Sequence, residues 1–289
     1  MSKPKKPKMA ICYDFDGTLS IKNMQEYDFI PQLKMTSKTF WNSVKRRSIE
    51  QKSDEILTYM LMMLEKANQA RIQIKREAFV NYGKNIDFFP GVEEWFKRMN
   101  DFASKKGIKL QHFIISSGIG EMIEGTSIHK EFEKIYASSY MYEQNGVAHW
   151  PALALNYTTK TQFLFRINKG FLDVWDNSKI NKFIEKPDRP IPFPRMIYIG
   201  DGSTDVPCMK LVKEQGGYSI AVYQPGSAKK KLTATNLLTE DRVNFVTPAD
   251  YRKGKKLDQQ VKSIISKISA DHLVQKLEKE STQKINKNK

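Results

Sequence analysis

Asp14-Phe15-Asp16-Gly17-Thr18 follows directly on the apolar run Met9-Ala10-Ile11-Cys12-Tyr13. The run predicts a short buried strand over residues 9 to 14, and the glycine predicts the turn that ends it. Residues i and i+2 of a strand project to the same side, so Asp14 and Asp16 can face one substrate. Two carboxylates at the exit of a buried strand are costly unless a cation or a reaction compensates them. The pair therefore indicates a functional site.

A second acidic stretch, Tyr198-Ile199-Gly200-Asp201-Gly202-Ser203-Thr204-Asp205, repeats the pattern of apolar strand, glycine turn and paired acids. Two such stretches in one chain predict a shared pocket that holds a metal ion. Between them, a predicted strand over residues 110 to 116 ends in Ser116, which is followed by Ser117 and Gly118. Strands that alternate with helical patterns predict a parallel sheet covered on both faces.

With these motifs in this order, the chain resembles the haloacid dehalogenase-like (HAD) phosphohydrolase superfamily. The first motif, DxDGT, is residues 14–18, the second ends at Ser116, and the fourth, GDGxxD, is residues 200–205. The third motif is a single lysine, and Lys160 fits it best. The resemblance covers about residues 9 to 225. It implies an α/β fold, a Rossmann-like HAD core with an inserted α-helical cap domain, as in the phosphoserine-phosphatase branch.

The predicted organisation has four parts. A basic tail, residues 1–8, precedes a core made of residues 9–22 and 86–251. The core is interrupted by residues 23–85, where apolar positions recur at helical spacing and no strand is predicted; the resemblance makes this block the cap. Residues 252–289 form a basic C-terminal segment.

Local patterns within the core predict further elements. Helices are expected over residues 120–135 and from residue 160 to 171, the latter continuing toward 183. An Asn-Gly turn at residues 145–146 predicts a hairpin.

The resemblance implies a role for each motif residue. Asp14 would be the nucleophile that forms an aspartyl-phosphate, and Asp16 the general acid and base. Magnesium would be held by Asp14, Asp16 through its backbone carbonyl, and Asp201. Asp205 would hold a metal-bound water or Lys160, and Lys160 would neutralise the nucleophile and the phosphoryl group.

Two neighbouring serines are candidates for binding the phosphate group. Ser116 is expected at the end of its strand, where the ligand crevice of an open α/β sheet lies. Ser117 is a close competitor, and the sequence leaves the choice between them open.

These residues predict a magnesium-dependent phosphatase that acts on a small phosphorylated metabolite. Two alternatives stay open: a phosphomutase of the same fold, and a protein that binds nucleic acid or another polyanion, including a phosphatase of nucleic-acid ends. In the phosphoserine-phosphatase branch, a Glu nine residues after the nucleophile grips the substrate ammonium. That position is Asn23 here, and the nearest acid is Glu26, so phosphoserine is expected less than other small esters. Hinges are expected near residues 20–24 and 84–90.

Charge and composition bear on whether the protein binds nucleic acid, is secreted or spans a membrane. The formal net charge is +16, but residues 1–8 contribute +4 and residues 252–289 contribute +7, so most of the excess lies at the ends. Basic ends of this kind are more typical of a solvated or helical segment than of a nucleic-acid-binding surface, because they lack interleaved aromatic residues. The chain has two cysteines and no apolar run of the roughly 20 residues that span a bilayer. A reducing cytoplasm is therefore the expected location, and no secretory signal is expected.

Overall fold

A seven-stranded, mostly parallel sheet lies at the centre of the molecule. The computed structural model describes residues 6–287. Its strands are β1 (Lys8–Tyr13), β2 (Lys109–Ile119), β3 (Lys134–Tyr142), β4 (Ala148–Leu153), β5 (Met196–Gly200), β6 (Tyr218–Tyr223) and β7 (Phe245–Pro248). Their order is β4-β3-β2-β1-β5-β6-β7. Strands β3 and β4 form the expected antiparallel hairpin, and the other neighbours pair in parallel.

Helices cover both faces of this sheet. They are α1 (Phe29–Gln32), α2 (Ser37–Gln51), α3 (Glu55–Ala70), α4 (Arg76–Gly83), α5 (Val92–Lys105), α6 (Gly120–Glu124), α7 (Thr161–Lys169), α8 (Val206–Glu214), α9 (Ala228–Thr239) and α10 (Lys256–Lys287). The side chains of alternate β1 residues pack into two different hydrophobic cores. Met9, Ile11 and Tyr13 belong to one, while Ala10 and Cys12 belong to the other. A strand covered on both faces explains the uninterrupted apolar run in the sequence.

Helices α1 to α4 lie within the segment from 23 to 85, and no named strand of the described chain falls there. Asp54 caps α3 by accepting hydrogen bonds from the amides of Ile56 and Leu57 at 2.9 and 3.0 Å. The segment packs on the core through α4 against α6 and through α3 against β4. We call residues 23–85 the helical segment; its status as a separate cap domain remains a prediction.

The two connections between the helical segment and the core run side by side. Ser20 and Phe88 form an isolated antiparallel bridge. The amide of Ile21 donates to the Asp87 carbonyl at 3.2 Å, and the amide of Phe89 donates to the Leu19 carbonyl at 2.9 Å. The predicted hinge positions therefore lie next to each other.

The C-terminal segment is a long helix, α10, whose first half packs against the body of the protein. Leu257, Val261, Ile264, Ile265 and Ile268 are buried in the same core as β1. Residues farther along, such as Leu273 and Leu277, are exposed. The basic charge at this end therefore belongs partly to a helix that completes the core. None of the helices in the described part of the chain is both long and apolar enough to cross a membrane.

Two expected helices are shorter than the sequence pattern suggests. The helix expected over residues 120–135 is limited to α6 and a 3-10 turn at His129–Glu131. The backbone of Gly125 lies so close to α4 that an added Cβ would be 1.8 Å from the Val80 carbonyl oxygen. The helix expected to continue toward 183 ends with α7, because Gly170 adopts the left-handed conformation at φ 73°.

We predict that Ile265→Ala lowers the free energy of unfolding by about 2–5 kcal/mol, the usual cost of a cavity left by a buried Ile. Leu273→Ala, on the same helix but 57% exposed, should change it by less than about 0.5 kcal/mol. Guanidinium unfolding of the two variants and the parent measures both values. Equal effects would contradict the packing of α10 described above.

Candidate active site

The predicted site residues meet at the carboxyl edge of three neighbouring strands. Asp14 follows β1 and Asp201 follows β5, while Ser116 lies near the end of β2, and β1 pairs with both other strands. The amide of Asp14 continues the ladder by donating to the Ile199 carbonyl at 2.9 Å. The carboxyl edge at the point where strand order reverses is the usual ligand site of open α/β sheets. The topology therefore places the motif residues around one crevice.

A buried ammonium group holds two of the acids together. The Nζ of Lys160 lies 2.9 Å from Oδ1 of Asp14 and 2.7 Å from Oδ1 of Asp205, and the lysine side chain is completely buried. Tyr198 donates its hydroxyl to the same Asp205 oxygen at 2.8 Å. Asn156 begins the 3-10 turn Tyr157–Lys160 that carries the lysine. Of the two roles expected for Asp205, the observed contact is the one with Lys160.

Asp16 is positioned by the entry to the helical segment. Its Oδ1 accepts from the amide of Met24 at 2.9 Å and from Oγ of Ser20 at 3.3 Å. Met24 also lies against Gly118, where an added Cβ would be 2.2 Å from the methionine methyl carbon. The carboxyl of Asp16 is thus fixed by Ser20, just before the helical segment, and by Met24, the second residue of that segment.

Burial shifts the pKa of each acid in the crevice upward. For Asp14, burial and the Asp205 carboxylate raise the pKa to about 7 against the opposing effect of Lys160. Burial and the neighbouring Asp14 raise the pKa of Asp16 well above its ordinary value. Burial also raises the pKa of Asp201, although Lys230 opposes the shift. For Lys160, burial favours the neutral amine, but Asp14 and Asp205 outweigh it and raise its pKa.

The acids suit a divalent cation. Oxygen atoms of Asp14, Asp201 and Asp205 lie within 4.8 Å of one another. A Cβ at Gly17 would be 2.4 Å from Oδ2 of Asp201, so only glycine lets the first motif approach that carboxylate. Asp14, Asp201 and Asp205 face two ammonium groups, Lys160 and Lys230. These acids outnumber the ammonium groups, and a Mg²⁺ ion, which prefers carboxylate oxygen, would offset the remaining negative charge.

Both candidate serines line the crevice, but their hydroxyl groups differ. Oγ of Ser116 accepts from the amide of Gly118 at 3.0 Å and so closes a local turn. Oγ of Ser117 is buried and has no hydrogen-bond partner among residues 6–287. The pairing of β2 with β3 is irregular between Ser116 and Ile119, which frees this backbone from the sheet. Since Oγ of Ser116 only accepts a hydrogen bond, both serines keep a hydroxyl hydrogen that could be donated to a phosphate, and the choice between them stays open.

The crevice opens into a cavity of about 590 Å³ between the core and the helical segment. The core contributes the motif residues. The helical segment contributes residues from its entry and from α2 and α3, namely Asn23, Gln25, Glu26, Trp41, Glu55, Ile56 and Tyr59. Tyr59 also donates its hydroxyl to the Ser117 carbonyl at 2.5 Å. The two parts of the chain therefore enclose one pocket.

Sequence reasoning missed two contacts in this pocket. Lys230, in α9, lies 2.8 Å from Oδ2 of Asp201, and nothing in the sequence links two residues so far apart. From the sequence, Glu26 is recognisable only as the acid nearest to Asn23. Its Oε1 accepts from Nδ2 of Asn23 and from Nε1 of Trp41, both at 2.8 Å. A carboxylate therefore lies in this pocket three residues after Asn23.

The sequence model of the haloacid dehalogenase-like hydrolases matches residues 11–210. This chain belongs to that family, and the expectation of a hydrolase with this α/β fold is confirmed. An uncharacterised protein of Borreliella burgdorferi is 29% identical over 279 residues, which cover 86% of this chain and 93% of that protein.

Solved structures show the same fold at low sequence identity. A phosphoserine phosphatase with an analogue of its phospho-aspartyl intermediate has a TM-score of 0.54 at 14% identity, covering 89% of this chain and 99% of that one. A HAD family hydrolase from Salmonella enterica serovar Typhi has a TM-score of 0.52 at 15% identity, covering 85% and 69%.

We predict that Mg²⁺ binds more weakly as the pH falls. With a pKa of about 7, Asp14 is protonated in most molecules at pH 6 and must release that proton before it binds a cation. Going from pH 8 to pH 6 should raise the Kd for Mg²⁺ about tenfold if one proton competes. Calorimetric titration without substrate measures both the Kd and the released proton; a Kd independent of pH would contradict the prediction.

A second prediction concerns Lys230. Lys230→Gln removes the ammonium beside Asp201 and should lower the Kd for Mg²⁺ by about two- to fivefold, as expected for a partly exposed ion pair. Lys229→Gln removes the same charge one residue away on α9 and is the matched control. An equal change in both variants would show a general charge effect and remove Lys230 from this role.

Proposed function

We propose that this protein is a magnesium-dependent phosphatase that hydrolyses a small phosphate monoester through an aspartyl-phosphate on Asp14. One observation carries the proposal. Asp14, Asp16 and Asp201 line one cavity together with Ser116 and Ser117, and the buried ammonium of Lys160 is bonded to Asp14. Membership of the hydrolase family and the fold shared with phosphoserine phosphatases support it.

In the first half-reaction, a carboxylate oxygen of Asp14 attacks phosphorus and the bond to the leaving alcohol breaks. Burial and the neighbouring Asp14 raise the pKa of Asp16, which favours the protonated carboxyl that would donate its proton to the leaving oxygen. Oδ1 of Asp16 is occupied by Met24 and Ser20, which leaves Oδ2 for this transfer. The alcohol departs and the phosphoryl group stays on Asp14.

In the second half-reaction, Asp16 removes a proton from water, which attacks the phosphoryl group and releases phosphate and free Asp14. Lys160 stays charged throughout because Asp14 and Asp205 surround it, so it can offset charge on the phosphoryl oxygens. Ser116 or Ser117 would donate a hydrogen bond to one of these oxygens. A Mg²⁺ ion held by Asp14, Asp201 and the Asp16 carbonyl would neutralise further phosphoryl charge.

The helical segment would act as the cap over this pocket. Its residues line part of the cavity. A pocket of about 590 Å³ suits a small molecule better than a folded protein. The paired connections at Ser20 and Phe88 are the proposed hinge. Closure would exclude bulk water during the first half-reaction.

Turnover of a generic aryl phosphate with and without Mg²⁺ tests the proposal. Asp14→Asn should abolish turnover, and Asp16→Ala should slow it by about 10²–10⁴, the usual span for general acid–base catalysis. Asp101→Asn, an exposed aspartate on α5, is the matched control. Full magnesium-dependent turnover by Asp14→Asn would overturn the mechanism. Product analysis separates the phosphomutase alternative, which yields an isomeric phosphate in place of free phosphate.

A further inference from the structure

Tyr251 lies between β7 and α10, beyond the residues 11–210 that match the family model. We propose that Tyr251 is a positioning residue for the turn of the first motif, so that the C-terminal part of the chain helps to shape the magnesium and phosphate site. This inference rests on the proposed function. It adds a residue that belongs to none of the motifs and does not line the cavity.

The hydroxyl of Tyr251 reaches the turn of the first motif directly. It donates to the Thr18 carbonyl at 2.8 Å, and both residues are completely buried. The rest of the turn is bonded to itself: the amide of Gly17 donates to the Ser20 carbonyl at 2.9 Å, and the Phe15 carbonyl accepts from the amides that follow Gly17. Because an unpaired carbonyl is unfavourable at a buried position, the hydroxyl fixes where the turn can lie.

Tyr251 is itself held from three sides. Its amide donates to the Pro90 carbonyl at 2.9 Å, and its carbonyl accepts from the guanidinium of Arg98 on α5. The ring of Trp95 packs edge-on against the tyrosine ring, with 5.1 Å between the ring centroids. Arg98 also donates through Nε to Asp258 at the start of α10, at 3.0 Å. The position of the hydroxyl is therefore set by α5 and α10, independently of the turn.

The turn that Tyr251 holds carries the first motif against Asp201. A Cβ at Gly17 would lie 2.4 Å from Oδ2 of Asp201, so the backbone of the turn is packed closely on this carboxylate. The same turn places Ser20, whose Oγ lies 3.3 Å from Oδ1 of Asp16. Loss of the anchor would let the turn shift relative to both acids. A misplacement of about 1 Å is enough to slow a reaction that depends on positioned groups.

Tyr251 also joins the two connections to the helical segment. Thr18 lies on the first connection and Pro90 on the second, and both are bonded to this tyrosine. Just beyond them, the connections form the bridge between Ser20 and Phe88. The tyrosine therefore holds both connections on the core side of the proposed hinge. Motion of the helical segment about that hinge would then leave the first motif in place.

Tyr251→Phe tests the inference, because it removes the hydroxyl and keeps the ring that packs on Trp95. The Kd for Mg²⁺, measured by calorimetric titration without substrate, should rise by about threefold or more. At saturating Mg²⁺, kcat for an aryl phosphate should fall by about tenfold. KM should change by less than about twofold, since Tyr251 does not line the cavity.

Tyr136→Phe is the matched control. The hydroxyl of Tyr136 also donates to a backbone carbonyl, that of Leu172, at 2.9 Å, and the residue is 1% exposed. Both variants lose one hydrogen bond of the same kind, so their guanidinium unfolding midpoints should fall by similar amounts. Only Tyr251→Phe should change the Kd for Mg²⁺ and kcat. Equal changes in both variants would overturn the inference, because a loss of stability anywhere in the core would then suffice.

Arg98→Gln provides a second test that leaves the tyrosine hydroxyl in place. It releases the Tyr251 backbone from α5, while Asp258 keeps Lys262 as a partner at 2.8 Å. The Kd for Mg²⁺ should rise and kcat should fall, each by about twofold, and the same substitution should add little in the Tyr251→Phe background. Unchanged values in Arg98→Gln, or equal effects in the two backgrounds, would contradict positioning through the tyrosine.

The outcomes separate this inference from the proposed function. Absence of phosphate-ester turnover by the parent protein, with and without Mg²⁺, would overturn the proposed function, and the Kd comparison would still decide the role of Tyr251. Turnover by the parent with an unchanged Kd and kcat in Tyr251→Phe would overturn this inference and leave the phosphatase standing.

Discussion

The buried ammonium of Lys160 is the interaction on which the site depends. An unpaired charge at a completely buried position is strongly unfavourable, so the fold must bring carboxylates to it. Those carboxylates come from the ends of two strands that pair with each other, because Asp14 follows β1 and Asp205 follows the turn after β5. The lysine itself lies on the turn before α7. Three separate parts of the chain therefore have to close on one another before this charge is compensated, which couples assembly of the site to assembly of the sheet.

The same coupling extends to the helical segment. Tyr59 reaches the backbone of Ser117, and Tyr140 donates to the Met60 carbonyl at 2.8 Å, so α3 is bonded to the core at two points. On the other side α4 and α6 touch through glycine, since a Cβ at Gly83 would be 1.9 Å from the Met122 carbonyl oxygen. Opening of the pocket as proposed would have to break both tyrosine contacts.

The sequence predicts the parts of this molecule that depend on local pattern. The strand before Asp14 and the hairpin at residues 145–146 each follow from a few adjacent residues. Features set by packing between distant segments are not predictable in that way. A periodic pattern gives no sign that Gly125 will touch α4 and end a helix, and nothing near Lys230 indicates that it will meet Asp201. Lys160 is intermediate: its position was inferred from the family resemblance, and its burial between two acids is visible only in the fold.

The residues proposed for catalysis and many of the other residues that line the cavity come from different parts of the chain. The core supplies Asp14, Asp16 and Lys160, all fixed by strand ends and buried contacts, whereas the far wall of the cavity comes from the helical segment. Asp16 joins the two, because its carboxyl is held by the amide of Met24 at the point where the helical segment begins. A shift of that segment would therefore change the position of the proposed general acid as well as the shape of the pocket.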